Sequence, residues 1–123
     1  MNIRRSTELA LIRLRYAIAT QLEDAEDLLP HDAENARLLR DQAMHLALPY
    51  VFRQRGMWIP RQKELIAAVA AVDPTAGAPA RQFYREPEAT AAYAIAVELV
   101  SHVSGETRFF EWESEREPVA DAP

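Results

Sequence analysis

Apolar side chains recur at spacings of three and four residues along most of this 123-residue chain, which is the pattern of amphipathic helices. The first such stretch runs from a Ser6 or Thr7 cap to about Leu28, and Pro30 stops it. Its apolar stripe consists of Leu9, Ile12, Tyr16 and Ala19, broadened by Leu11, Leu14 and Ile18. The sequence therefore predicts a long first helix that packs one face against a core.

A second helix is expected between an Asp32 cap and Gly56, a residue type that favours the end of a helix. Its apolar face would consist of Leu39, Ala43, Leu46 and Tyr50, with Leu38 and Val51 beside them. Pro49 lies within this pattern and has no N–H to donate to the carbonyl of His45. We therefore expect a kink at that point.

Two further helices are expected in the second half of the chain. The third begins at Pro60, which suits a first helical position, and ends at Asp73. Its buried face would consist of Leu65, Ile66, Val69 and Val72. Residues 74–80 contain two prolines and a glycine and are typical of a loop. The fourth helix would then run from Pro87 to an end at Gly105.

Four amphipathic helices with short connections predict an all-α fold, an antiparallel four-helix bundle with a short C-terminal extension. We assign the bundle to residues 1–112 and expect the acidic, proline-containing residues 113–123 to be a disordered tail. A sheet would need more turn residues than the three glycines present. A small-residue stripe on the fourth helix, Ala89, Ala92 and Ala96, leads us to expect a two-fold homodimer.

Composition narrows the functional classes. The chain has no cysteine, and no two of its three histidines have the i, i+4 spacing of a metal site, so neither a metal nor a cofactor is expected. No stretch approaches the roughly 20 apolar residues that span a bilayer, so we expect a soluble, cytoplasmic protein without membrane contact. The formal net charge of -5 argues against general nucleic-acid binding, although arginines concentrate in residues 37–61.

Arg40 and His45 form an R-x4-H pair within the second predicted helix. The pair resembles the R-x4-6-H signature of HEPN helical-bundle domains, whose ribonuclease members use the arginine and histidine on an RNA phosphate. The resemblance implies a metal-independent ribonuclease in which Arg40 holds phosphate and His45 acts as acid and base. In that family the motif lies near the start of a late helix and asparagine follows the arginine, whereas here Asp41 follows. The structural alternative is a solvated Arg40 beside a His45 at the edge of the core.

A second resemblance covers residues 48–74, LPYVFRQRGMWIPRQKELIAAVAAVDP. A helix here ends in a basic and aromatic turn, and a proline and a lysine precede the next helix. This looks like a segment of nucleotidyltransferase-associated helical bundles, including the C-terminal domains of aminoglycoside nucleotidyltransferase-like proteins. The matching positions are Tyr50, Arg53, Trp58, Pro60 and Lys63. The Gly-Ser turn and paired aspartates of the catalytic half are missing, so the resemblance implies an accessory module that cannot transfer a nucleotide alone.

One functional expectation and two alternatives follow. We expect a non-catalytic module that lines the cleft for a nucleotide or phosphorylated small molecule, as a homodimer or beside a nucleotidyltransferase partner. Cations clustered with aromatic rings favour anion binding and base stacking. The expected ligand-binding residues are Tyr50, Arg53, Trp58, Arg61 and Lys63. The alternatives are the ribonuclease that uses Arg40 and His45, and a purely structural partner protein.

Overall fold

A computed structural model of the protein describes the backbone of residues 3–105 and the side chains of residues 7–105. Within that range the chain forms five α-helices and a short 3₁₀ turn. These are α1 (Ile3–Leu28), α2 (Ala33–Arg53), the 3₁₀ turn (Gln62–Glu64), α3 (Leu65–Val72), α4 (Pro74–Arg85) and α5 (Ala89–Ser104). The all-α class is confirmed, and residues 3–105 contain no strand. The predicted tail at residues 113–123 lies outside the described residues.

The two longest helices, α1 and α2, form an antiparallel hairpin. The Asp32 N–H donates to the Leu28 carbonyl (2.7 Å) in the turn, and the Asp32 carboxylate accepts from the Asn35 N–H (3.1 Å). The predicted Asp32 cap is therefore confirmed. The predicted cap of α1 is wrong, because the helix begins at Ile3, ahead of Ser6.

The expected loop at residues 74–80 is instead the first part of α4. The Asp73 carboxylate accepts from the Ala76 N–H (3.2 Å), and Pro74 follows at the first helical position, where its missing N–H is of no consequence. The buried side of this helix is formed by Ala76, Gly77, Pro79, Ala80 and Phe83. This extra helix is why the described chain contains five helices where the sequence predicted four.

α2 runs through the centre of the packed helices and contributes most to the core. Its fully buried residues include Ala43, Met44, Ala47, Leu48, Val51 and Phe52. The predicted members Leu39 and Leu46 are only partly buried, so the inner face is rotated from the predicted one. The helix continues through Pro49 to Arg53, and Gly56 then adopts a positive φ of 66° in the turn that follows.

α5 closes the other side of the core and ends at Gly105, whose φ of 79° is the left-handed conformation expected of a terminating glycine. Ala92, Ala96 and Val100 are at most 1% exposed. Ala92 and Ala96 of the small-residue stripe therefore pack inside the chain, and Ala89 is partly buried, so the stripe is not the exposed face that the predicted homodimer would need. None of the helices within residues 3–105 has the length and apolar character needed to cross a membrane.

Candidate functional site

The five residues predicted to bind a ligand lie in different surroundings. Tyr50 is 3% exposed and its hydroxyl meets the guanidinium of Arg15 on α1, so it belongs to the core. Burial raises the pKa of Tyr50, although Arg15 opposes this through its charge and hydrogen bond, and the hydroxyl stays protonated at neutral pH. Arg61 is exposed and pairs with Glu64 across 3.1 Å.

The other three predicted residues line two separate depressions. Arg53 and Trp58 lie in a groove between the start of α1 and the end of α2, whereas Lys63 lies in a cleft against α4. The side chains of Arg53 and Lys63 therefore do not act on one ligand-sized volume. The two residues are close in the sequence, but the end of α2 and the 3₁₀ turn place them in different depressions.

The cleft that contains Lys63 is lined by residues of the 3₁₀ turn, α3 and α4 and has a volume of ≈ 330 Å³.

We call this depression the cationic cleft, and it carries three positive side chains beside an aromatic ring. Its lining consists of Gln62, Lys63, Ile66, Ala67, Arg81, Tyr84 and Arg85. Arg81 and Arg85 are one helical turn apart on α4, so they lie on the same face of that helix. Within residues 3–105, no ion pair joins Lys63, Arg81 or Arg85 to a carboxylate.

Tyr84 forms one wall of the cationic cleft and is 45% exposed. Its ring meets that of Phe83 edge to face, with centroids 4.8 Å apart. Burial raises the pKa of Tyr84, the Asp41 carboxylate raises it further, and the charge of Arg40 opposes both. The hydroxyl is therefore protonated at neutral pH and can donate a hydrogen bond.

A smaller depression of ≈ 170 Å³, which we call the side pocket, adjoins the cationic cleft. It is lined by His45, Leu48, Gln62, Leu65, Ile66 and Tyr84. Gln62, Ile66 and Tyr84 line both depressions. A ligand can therefore extend from one into the other.

Arg40 does not join His45 at this surface. Its side chain is 6% exposed, donates to the Asp41 carboxylate (3.4 Å) and to the Ala89 carbonyl (3.5 Å), and lies 5.1 Å from the centroid of the Phe83 ring. The Arg40 guanidinium thus connects α2 to α4 and α5. It is buried, whereas the structural alternative predicted that Arg40 would be exposed to solvent. His45 is exposed and lines the side pocket, to which Arg40 does not contribute.

The groove that contains Trp58 is mostly apolar and has a volume of ≈ 450 Å³. Its lining consists of Thr7, Ala10, Leu11, Leu14, Arg53, Met57, Trp58 and Ile59. We call it the Trp58 groove. The Trp58 side chain is 96% exposed, and Met57 and Ile59 beside it are 45% and 38% exposed. An apolar surface of this kind is typical of a contact site for another molecule.

A separate polar cluster surrounds Asp73, which is 8% exposed. Its carboxylate lies 3.0 Å from His102 Nε2 and 3.4 Å from Arg55 Nη2, and Arg55 also donates to the Val51 carbonyl (2.9 Å). Burial on its own raises the pKa of Asp73. The hydrogen bonds from His102 and the Ala76 N–H, together with the charges of His102 and Arg55, outweigh that effect and hold the pKa below its ordinary value.

No group of three or more histidine or carboxylate side chains in the described part of the chain is arranged to hold a metal ion. Comparison with protein-family models, with curated proteins and with solved structures found no match.

The sequence prediction missed Arg81, Tyr84 and Arg85 because it assigned a loop to residues 74–80 and began the next helix only at Pro87. Their spacing carries a usable signal, since positions i, i+3 and i+4 share one face of a helix. If α4 had been predicted as a helix, these three side chains would have been placed on one of its faces. Its position against Lys63 depends on tertiary packing and has no local signal.

Proposed function

We propose that this chain is a helical binding module that takes a phosphorylated small molecule in the cationic cleft. The observation that carries this proposal is the set of three cations, Lys63, Arg81 and Arg85, which line one cleft beside Tyr84 without a carboxylate partner in the described residues. Like charges that share a cleft repel one another, and a multiply charged anion relieves that repulsion.

The residue types suit a phosphate in particular. An arginine guanidinium offers a planar fork of N–H donors that matches two phosphate oxygens, and a lysine adds a compact positive charge. Gln62 and the Tyr84 hydroxyl add neutral hydrogen-bonding groups at the same surface. A volume of ≈ 330 Å³ is at the lower end of the range for small-molecule sites, which is about 300–1,000 Å³.

The same geometry favours binding over the ribonuclease hypothesis. That hypothesis needs Arg40 and His45 on one phosphate, whereas Arg40 is 5% exposed and is engaged by Asp41, Ala89 and Phe83. A buried arginine that holds helices together is not free to follow a substrate. His45 alone supplies a proton-transfer group but no second group to hold the phosphate.

Calorimetric titration with pyrophosphate tests the proposal. We expect binding that weakens as salt is raised, because the attraction acts through charge. Arg81→Ala should weaken binding by about tenfold, which corresponds to the loss of one charged hydrogen bond. Arg37→Ala is the matched control, because Arg37 is an exposed cation on α2 that lines neither the cationic cleft nor the side pocket.

Failure of pyrophosphate to bind, or equal losses for Arg81→Ala and Arg37→Ala, would show that the cationic cleft is not an anion site. Helical content measured by circular dichroism on each variant ensures that a loss of binding does not reflect unfolding. Arg81 and Arg37 are both exposed, so their replacement should leave the fold intact.

We further propose that the Trp58 groove is a protein-contact surface at which a second copy of the chain packs. The support is the near-complete exposure of Trp58 beside the partly exposed Met57 and Ile59. The resemblance of residues 48–74 to nucleotidyltransferase-associated bundles suggests a nucleotidyltransferase as the other partner class. A dimer of two copies would form from the purified chain alone, whereas a complex with a nucleotidyltransferase would need that second protein.

A further inference from the structure

The side pocket gives the cationic cleft a second compartment of different chemistry. Leu48 and Leu65 are at most 8% exposed and form an apolar floor, whereas His45 and Gln62 bring polar groups to the rim. Tyr84 lines both compartments, so its ring lies where the charged part adjoins the apolar part. A ligand that uses both compartments therefore carries an anionic end and a flat, weakly polar end.

The size of the side pocket limits that flat end. Its volume is ≈ 170 Å³, and an apolar cavity of about 150 Å³ is known to hold one benzene ring. One six-membered ring is thus the natural occupant, while a fused two-ring system would project out of the pocket.

The walls indicate what kind of ring it is. An aromatic side chain such as Tyr84 stacks on the face of a nucleobase. The His45 imidazole and the Gln62 amide can each donate and accept hydrogen bonds, as the edge of a base requires. A plain hydrocarbon ring would make no hydrogen bond to these polar groups.

We infer that the ligand of this module is a pyrimidine nucleotide, with its phosphate in the cationic cleft and its base in the side pocket against Tyr84. This inference rests on the proposed phosphate-binding function. It assigns separate roles to the two compartments, so that variants of residues that line only one compartment, such as His45 or Arg81, should act on only one part of the ligand.

The test compares four probes by calorimetry: pyrophosphate, ribose 5-phosphate, uridine monophosphate and adenosine monophosphate. Uridine monophosphate should bind more tightly than ribose 5-phosphate by about five- to a hundredfold, the range expected for stacking one base on an aromatic ring. It should also bind more tightly than adenosine monophosphate, whose base has two fused rings.

Four variants at three positions test the roles of the two compartments. His45→Trp fills the side pocket and should reduce the affinity for uridine monophosphate to that for ribose 5-phosphate. The affinity for pyrophosphate should stay unchanged. Tyr84→Ala should remove the same advantage of the base, and Tyr84→Phe should keep it, since the ring is retained. Arg81→Ala should weaken all four probes together.

The outcomes distinguish this inference from the proposed function. If none of the four probes binds, the phosphate site itself is wrong, and the nucleotide inference fails with it. If pyrophosphate and ribose 5-phosphate bind but uridine monophosphate has no advantage, only the nucleotide inference is overturned. Tighter binding of adenosine monophosphate, or an unchanged uridine monophosphate affinity in His45→Trp, would also overturn it.

Discussion

At the scale of single residues, the role of Arg40 in the structure differs from the role that its sequence motif suggested. Its position beside Asp41 and before His45 resembled a catalytic motif, yet its guanidinium is buried against Phe83 and the Ala89 carbonyl. Its Nε is also buried, with no hydrogen-bond partner among the described residues. A side chain in this environment contributes to stability through its contacts with two other helices.

We expect Arg40→Ala to lower the free energy of unfolding by about 1–3 kcal/mol, because it removes a cation–π contact and hydrogen bonds made by a charged group. Arg37→Ala, one turn earlier and exposed, should change it by less than about 0.5 kcal/mol. Urea unfolding of both variants makes the comparison. Equal effects would mean that the Arg40 contacts contribute nothing measurable to stability.

Asp73 makes the stability depend on pH. Its pKa is lowered in the folded chain, so the folded state releases this proton more readily than the unfolded state. The resulting stabilisation is fully present above the ordinary aspartate pKa of about 4 and is lost as the pH falls through the lowered value.

Asp73→Asn should therefore destabilise the chain at pH 7, and the difference from the wild type should shrink at pH values below about 4. Denaturant unfolding at a series of pH values measures this difference. Asp24→Asn is a suitable control, since Asp24 is an exposed carboxylate on α1. A difference between Asp73→Asn and the wild type that stays constant with pH would contradict the assigned role of the ionised carboxylate.

At the scale of elements, the packing of α3 against α4 depends on Gly77. A Cβ atom at this position would lie 2.5 Å from the Ala70 Cα, which is backbone and cannot rotate away. Glycine is unfavourable within a helix, but here its missing side chain allows the two helices to approach closely.

Gly77→Ala should consequently destabilise the chain by about 1–3 kcal/mol, the usual range for overpacking, despite the better helix propensity of alanine. Thr75→Ala, at an exposed position of the same helix, should have little effect. Thermal unfolding followed by circular dichroism measures both. A Gly77→Ala variant as stable as the wild type would show that α3 and α4 can separate without cost.

The elements also show what the sequence could predict. Asp32 and Gly105 were identified correctly because a cap and a left-handed helix end are local features. Residues 74–80 were misassigned because proline and glycine were taken as loop signals, whereas the Asp73 cap and the buried face of α4 determine the structure. The cationic cleft could not be predicted, since Lys63 and Arg81 line the same cleft only after the helices pack.

At the scale of the whole molecule, the proposed surface for self-association is the Trp58 groove, which exposes Trp58, Met57 and Ile59. Sedimentation velocity at micromolar concentration should show a dimer of the wild type, and Trp58→Ser should shift it towards monomer because the most exposed apolar side chain is lost. Tyr84→Ala, which changes a different surface, should leave the dimer unchanged. A wild type that sediments only as monomer would contradict the proposed self-contact.

The hairpin of α1 and α2 has a consequence for how the chain folds. Its helices of 26 and 21 residues are joined by a turn that spans only residues 29–32. Because this connection is so short, closing it costs little chain entropy. α5 packs against α2 from far along the sequence, so that contact needs a much larger loop to close. Pulse-labelling hydrogen exchange should accordingly find the amides of α2 protected before those of α5, and simultaneous protection would show that the hairpin is not an early folding unit.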